Sequence, residues 1–394
     1  MTSQQTADIV IIGGGIVGSA LAYFWSISDA EKRVVVIDRS FSTLKGSTGV
    51  APGFVGQFNE SEVLTRLAID SVKEYLKIPG GVDLVGGIEL ATSSHGVEKL
   101  KSRLEMAKNV GLEAELISAE RASQMAPSLV RNDSLLALHF AGDGTASPIT
   151  IVSFYREEAR KHGADLIEGD VTDIRVSDGR VNGVMTPSGF VEASKVVIAT
   201  GIWAPDLCDL DIPIPVIPVA HPYMYGEYHE LNSQKYPFVR FPEHLVYARD
   251  HGRFYGLGSY NHVPIAQKPE GSAVGNWIEQ FDATLDQALK LIPGETKLAP
   301  REKFNGIFSM TPDNMPLVGE ISSAKGLYMA AAVWVTHAAG SAKFLIQMMK
   351  GEAVDTATKR ALDPNRFKGR DIESLKQESL DGYNHIYKTQ ENSQ

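Results

Sequence analysis

The sequence predicts an α/β (α+β) fold: a doubly wound parallel sheet with a second, mixed or antiparallel sheet inserted into it. Three stretches carry that expectation. The first is Asp8-Ile9-Val10-Ile11-Ile12-Gly13-Gly14-Gly15-Ile16-Val17-Gly18, followed by Val34-Val35-Val36-Ile37-Asp38. It reads as an apolar strand, a glycine turn, an apolar-periodic helix from Ile16 to Ile27, and a second strand ending on an acid. The second is Lys195-Val196-Val197-Ile198-Ala199-Thr200-Gly201-Ile202-Trp203-Ala204-Pro205, a buried-strand pattern that runs into a small-residue turn. In a doubly wound sheet such a turn lies at the carboxyl edge, where ligands bind. The third is a change of composition from Val219 to Tyr260, where His221, Tyr223, Tyr225, Phe238, Tyr247 and Tyr255 alternate with other residues as in antiparallel strands.

The first stretch has the flanks that give G-x-G-x-x-G its meaning as a dinucleotide site. Gly13 permits the tight turn. Gly15 lets the backbone approach a pyrophosphate, and Gly18 lets the helix pack closely on the strand. The helix N-terminus offers N–H groups and partial positive charge to phosphate. Asp38 stands about 20 residues on, where an acid holds a ribose hydroxyl. The motif alone does not separate NAD from FAD, since both are adenine dinucleotides.

Composition narrows the class. With 394 residues the chain has room for two or three core-sized units, and 43% hydrophobic content is that of an ordinary globular protein. No run of 18 apolar residues occurs, so no membrane span is expected. Met1-Thr2-Ser3-Gln4-Gln5 has no basic-then-apolar character, so no signal peptide is expected, and Glu391-Asn392-Ser393-Gln394 leads to no expectation of a peroxisomal or retention signal. The formal net charge of −10 argues against nucleic-acid binding, which depends on neutralising phosphate. The single cysteine, Cys208, excludes an intrachain disulfide and a cysteine metal cluster, and fits a reducing, cytoplasmic setting. No metal-binding HExxH, Walker loop or GxSxG element is present.

The remaining elements follow in order. Lys45 to Gly53 is a small-residue loop suited to close approach of a ligand. Ser61 to Lys77 has helical spacing. Asp83 to Thr92 reads as a strand interrupted at Gly86-Gly87, and Val97 to Val110 as a helix. Ser118 N-caps a helix to Met125. Leu135 to Phe140 is a strand, and Ser147-Pro148 starts a helix to about Lys161. Short strands are expected around Asp165–Glu168, Val171–Val176 and Val181–Met185. Pro213 to Pro218 is a candidate crossing between domains. A helix is expected over Trp277 to Leu291, a buried strand over Leu327–Ala332, and a helix over Ser341 to Met349. The tail after Arg360 is polar and expected to be peripheral.

The glycine unit with Asp38, the Ala199-Thr200-Gly201-Ile202-Trp203-Ala204 turn and Thr311-Pro312-Asp313…Gly319 together resemble the D-amino-acid oxidase/sarcosine oxidase superfamily of FAD enzymes. Within it the chain is most similar to the flavin half of the dimethylglycine oxidase, dimethylglycine dehydrogenase and sarcosine dehydrogenase group. The segments that carry this are Gly46-Ser47-Thr48…Ala51-Pro52-Gly53, Gly86-Gly87-Ile88-Glu89, Ala220-His221, Tyr255–Tyr260, Phe304–Ser309 and Val333-Trp334-Val335-Thr336-His337. The resemblance implies an FAD-binding Rossmann-like domain with an inserted substrate domain. The flavin domain is expected in three pieces (1–82, 142–212, 303–360), the substrate domain in two (83–141, 213–302), and 361–394 as a C-terminal tail.

The same resemblance implies an activity: oxidation of the C–N bond of a secondary or tertiary, N-methyl amine, by hydride transfer to flavin N5 and hydrolysis of the imine. The expected partners are a small amine and either O2 or an electron-acceptor protein. It implies FAD contacts at Gly13, Gly15, Ile16, Val17, Gly18, Asp38, Arg39, Gly46, Ser47, Thr48, Ala51, Val171, Thr200, Gly201, Trp203, Gly306, Val335, Thr336 and His337. The Ala338–Gly340 turn is expected to aim a helix N-terminus at the flavin. Relatives link flavin through a histidine before the Ala-Pro-Gly or a cysteine before the Thr-Pro-Asp. Val50 and Gly306 stand there, so noncovalent FAD is expected. The relatives' C-terminal folate-binding half does not follow in this sequence, so formaldehyde is expected to leave free or pass to a separate partner. His221 matches an active-site histidine, suited by its ordinary pKa to receive an amine proton, and Tyr247 an active-site tyrosine. Tyr260 and His262 are pocket candidates. Arg240, Arg249 and Arg253 are candidates to clamp a substrate carboxylate. Two other readings stand beside this one: an FAD-dependent D-amino-acid or 2-hydroxy-acid oxidoreductase, and a flavin-binding protein without turnover.

Overall fold

The computed structural model describes residues 5–28, 33–207 and 212–386; Cys208 lies outside them. Two large sheets dominate. The first has six strands in the order 165–168, 34–38, 9–12, 196–198, 327–331 and 317–320. All neighbours pair in parallel except the last two strands, which are antiparallel. The strands Ile9–Ile12, Val34–Asp38 and Val196–Ile198 are almost wholly β-branched and buried, as a sheet covered on both faces requires. Helices Ile16–Ser28, Pro148–Lys161 and Ala338–Met349 contribute to the core on one face.

The second sheet has nine strands, in the order 274–275, 302–310, 217–225, 255–259, 246–250, 238–241, 87–91, 136–140 and 114–117. It is antiparallel except where Phe238–Phe241 meets Gly87–Ala91. That parallel junction joins the two separated pieces of chain that build this sheet. Smaller sheets of four strands (5–7, 173–177, 180–186, 189–193) and three strands (54–55, 82–83, 144–146) complete the β structure.

Local chemistry explains the helix starts. Ser61, Ser118 and Ser147 each accept a hydrogen bond from the N–H three residues on, and Pro148 occupies the first turn. Three boundaries differ from the sequence expectation. The helix expected over Trp277–Leu291 spans Gln280–Leu289, and Trp277 lies before it, edge-on against Phe281. The last long helix begins at Ala338, not Ser341. Glu302–Met310, grouped with the flavin pieces by the sequence reading, pairs along its length with Ile217–Tyr225 in the nine-stranded sheet. Residues 361–386 are not peripheral either. Helix Thr356–Leu362 leads into them, Ile372–Gly382 forms a second helix, and Leu375, Ser379 and Tyr383 are buried. Among the described residues no helix is long and apolar enough to cross a membrane, and no cluster of His, Cys, Asp or Glu is arranged to hold a metal ion.

Candidate active site

Close backbone packing and side-chain hydrogen bonds together hold the glycine turn. Gly13 adopts φ +100°, and a side chain there would meet the Ala199 carbonyl oxygen. A side chain at Gly18 would collide with the Gly13 carbonyl, so this glycine sets helix-to-strand packing and does not face the cavity. Asp38 Oδ2 accepts the Gly14 N–H at 2.6 Å, and Oδ1 accepts the Ser40 N–H at 2.9 Å. A carboxylate offers about four acceptor sites, so capacity for a hydroxyl is left. The buried Arg156, which sequence reasoning missed, donates from Nε (3.1 Å) and one terminal nitrogen (2.5 Å) to the Gly14 carbonyl.

Above this turn lies a cavity of about 420 Å³. Its walls include Gly13, Gly15, Ile16, Val17 and Asp38 at one end, with Gly46, Ser47, Thr48 and Ala51 from the small-residue loop. Thr200, Gly201 and Trp203 come from the turn after Val196–Ile198, and Arg39 lies over the Trp203 ring at 4.3 Å. Val171, Gly306 and Val335 also line it, as do His221 and Tyr247. A second cavity of about 190 Å³ adjoins the first. Tyr247, Phe308, Trp334 and Val335 belong to both walls. Tyr260, Arg103, Arg240, Thr336 and His337 line only the second. Thr336 and His337, expected to contact a cofactor, thus sit beside the smaller chamber. The Ala338–Gly340 turn lines neither cavity: the Gly340 N–H is taken by Ser71 Oγ at 2.9 Å, and Gly340 packs on the Leu67 backbone.

At the junction, His221 is 4% exposed. Its Nε2 lies 2.6 Å from the Tyr247 hydroxyl and its Nδ1 2.5 Å from the Tyr383 hydroxyl. Burial, and to a lesser degree His262, hold its pKa well below the usual histidine value, so the ring is neutral at neutral pH. His262 lines neither cavity but lies behind this group, its Nε2 2.9 Å from the Tyr383 hydroxyl. Tyr383 carried no sequence signal, because it falls in a polar tail.

The second cavity has a buried ionic floor. Arg103 donates to both oxygens of Glu89 at 2.7 and 3.0 Å and to Glu60 at 3.2 Å. Arg240 lies 3.6 Å from Glu89. The two guanidinium groups outweigh burial and hold the Glu89 carboxyl below its ordinary range. Burial pushes the nearby Asp143 up to about 7. A glutamate within the apolar strand Gly87–Ala91 is the sequence signal that such a cluster exists, since a buried charge needs partners. Of the three arginine candidates only Arg240 lines a cavity. Arg249 donates to the Pro52 carbonyl, and Arg253 is exposed.

Residues 8–348 match the family model described as FAD dependent oxidoreductase. The chain is 30% identical to human mitochondrial dimethylglycine dehydrogenase over 391 residues, covering 92% of this chain and 45% of that protein. It is 27% identical to human mitochondrial sarcosine dehydrogenase, covering 82% of this chain and 37% of that one. It therefore spans about half or less of the length of these curated relatives. The fold is that of L-proline dehydrogenase from P. horikoshii, with a TM-score of 0.83 at 23% identity, covering 92% of this chain and 98% of the other. The large cavity fits the flavin dinucleotide. Gly15 leaves its backbone open, with only Thr48 Oγ1 near at 3.2 Å. The buried hydroxyls of Thr200 and Ser309, both on the wall, lack a hydrogen-bond partner among the described residues, as expected where a polar ligand supplies one. This chain belongs to the FAD-dependent oxidoreductase family, and FAD is its cofactor.

Proposed function

We infer that this chain oxidises the C–N bond of a secondary or tertiary, N-methyl amine. The observation that carries the reading is the Tyr247–His221 pair, hydrogen-bonded at 2.6 Å: Tyr247 lies on the wall shared by the flavin cavity and the smaller chamber, and His221 lines the flavin cavity. FAD, when bound, supplies the oxidant for the C–H bond next to nitrogen. An ammonium ion has no lone pair to assist that step, so the substrate must first lose a proton. Tyr247, backed by His221, is the acceptor on the chamber wall. Tyr260, Phe308 and Trp334 complete an aromatic lining that suits a methylated cation and excludes water. Arg240 is placed to meet a carboxylate on the same substrate. The dimethylglycine and sarcosine dehydrogenases among the relatives support a substrate of this kind. O2 or an acceptor protein would take up the electrons, and water would hydrolyse the imine, releasing formaldehyde. Val50 and Gly306 both line the flavin cavity and offer no nucleophile, which supports noncovalent FAD.

The test is an anaerobic absorbance titration of the holoprotein with N,N-dimethylglycine, sarcosine, L-proline, D-amino acids and 2-hydroxy acids. Bleaching by an N-methyl amine with formaldehyde release is the expected result. Bleaching only by hydroxy acids or primary amino acids replaces this reading, and no bleaching by any of them points to a flavin-binding protein without turnover. Yellow colour left in acid-precipitated protein refutes the noncovalent assignment.

A further inference from the structure

Proton removal from a buried ammonium requires a route out, because His221 is itself too buried to keep the charge. We propose that Tyr383 and His262 extend the Tyr247–His221 pair into a proton path from the small chamber to the surface. This rests on the amine reading above and adds two positioning residues to it.

The direction follows from hydrogen-bond chemistry. His262 Nδ1 lies 2.9 Å from the Val263 carbonyl oxygen. A carbonyl only accepts, so Nδ1 carries the hydrogen, and in the neutral ring Nε2 is bare. The Tyr383 O–H therefore donates to His262 Nε2 at 2.9 Å. The Tyr383 oxygen accepts from His221 Nδ1–H at 2.5 Å. That leaves His221 Nε2 bare, and the Tyr247 O–H donates to it at 2.6 Å. One carbonyl thus orients four groups, and the chain ends at Tyr247, whose side chain lines the chamber.

Transfer then balances. The ammonium N–H bond breaks and its proton joins the Tyr247 oxygen. The Tyr247 proton passes to His221 Nε2, the His221 Nδ1 proton to the Tyr383 oxygen, and the Tyr383 proton to His262 Nε2. Positive charge leaves the substrate nitrogen and appears on His262. His221 gives up one proton as it gains another, so no ion rests on the most buried ring. His262 is the partly exposed member, flanked by exposed Asn261 and Val263; its Nδ1–H leaves the Val263 carbonyl and goes to water, and the ring remains as the neutral Nε2–H tautomer. The groups facing the path are accounted for. Tyr260 lies 4.6 Å from the His221 ring and Phe281 lies 4.7 Å from His262. Arg103, Arg240 and Glu60 share the chamber wall with Tyr247. Asn384 Nδ2 donates to the Tyr260 and His262 carbonyls at 2.5 and 3.0 Å, which ties the Tyr383 segment to the turn that holds His262.

Two measurements on the holoprotein test this. The first is the anaerobic flavin reduction rate with N,N-dimethylglycine and sarcosine from pH 6 to pH 10, for the wild type, Tyr383→Phe and His262→Gln. Both variants remove a link without removing bulk, and the second stands if the first fails to fold. Each is expected to lower the rate at pH 7 about 10-fold, below the usual yield of acid–base catalysis. Each should converge on the wild type at high pH, where the amine enters already neutral. FAD content should not change. The second is 15N NMR of histidine-labelled wild type, which needs no turnover. It should find the Nδ1–H tautomer at both His221 and His262. Unchanged pH profiles in both variants, or an Nε2–H tautomer at His221, overturn the path. If no amine reduces the wild-type flavin, the amine reading falls, and the tautomers still decide the orientation of the chain.

Discussion

The two ends of the site are built by opposite means. The dinucleotide end is made of backbone and small side chains: Gly13, Gly15, Ser47, Thr48 and Thr200. It recognises by leaving room and by presenting N–H groups. The chamber end is made of large rings and buried charges: Tyr247, Tyr260, Phe308, Arg103 and Arg240, with Glu89 and His221 behind them. It is filled by aromatic rings and holds hydrogen-bonded and ion-paired groups. The first tolerates little added bulk, and the second tolerates little lost charge.

The largest expected break is at the charged end. Glu89→Gln leaves two buried guanidinium groups without their shared carboxylate and should cost about 3–5 kcal/mol of stability, the range for breaking a buried pair. Denaturant unfolding of the holoprotein measures it, and the protein that remains folded should still bind FAD. An unchanged midpoint would mean that the Glu89 charge contributes nothing to the fold. At the backbone end, Gly18→Ala forces a methyl group into the Gly13 carbonyl and should cost about 1–3 kcal/mol, the range for overpacking. Here FAD should be lost in proportion, because the turn itself moves. Flavin absorbance per mole of protein reads the outcome, and full occupancy would separate packing from binding.

Acid sharpens the contrast between charge and bulk. Burial pushes the His337 pKa down to about 4, from 6.5 when exposed. The unfolded chain therefore binds the proton more readily, and stability is lost as pH falls below 6.5 towards 4. The expected slope is about 1.4 kcal/mol per pH unit for one such group. His221 and His251, also depressed by burial, add to it with the same sign. Thermal melts from pH 7 to pH 5 should show His337→Gln flatter than the wild type. The smallest effect belongs to Thr200→Val. The hydroxyl has no partner among the described residues, so the apoprotein should be unharmed, while FAD affinity should fall about 5-fold for one lost hydrogen bond of about 1 kcal/mol. Equal affinity would show that the hydroxyl does not contact the cofactor.

The same contrast explains what could be read in advance. The strand, turn, helix and acid from Ile9 to Asp38 lie within one stretch of chain, and their chemistry is local. A tight turn needs Gly13, and a covered parallel strand needs Val34–Ile37. The nine-stranded sheet was legible as alternation, but its order was not. Glu302–Met310 pairs with Ile217–Tyr225 across a long insertion, and no local signal marks that partner. Arg103 lies in the charged helix Ser94–Asn109, which by spacing is a solvated surface. Only strand order turns it towards Glu89. Tyr383 sits in a polar tail whose apolar positions, Leu375 and Leu380, are too sparse to announce a docked helix.

By itself the sequence determined the dinucleotide turn, the family and the cofactor, since each depends on neighbours in the chain or on motifs carried within short stretches. Tertiary structure alone decided that Glu89 is shared by two arginines, that the Ala338–Gly340 turn is occupied by Ser71, and that the C-terminal segment closes behind His221. Those facts depend on which distant surfaces meet. Contact between residues far apart in the chain is set by packing of the whole, and neither periodicity nor spacing records it.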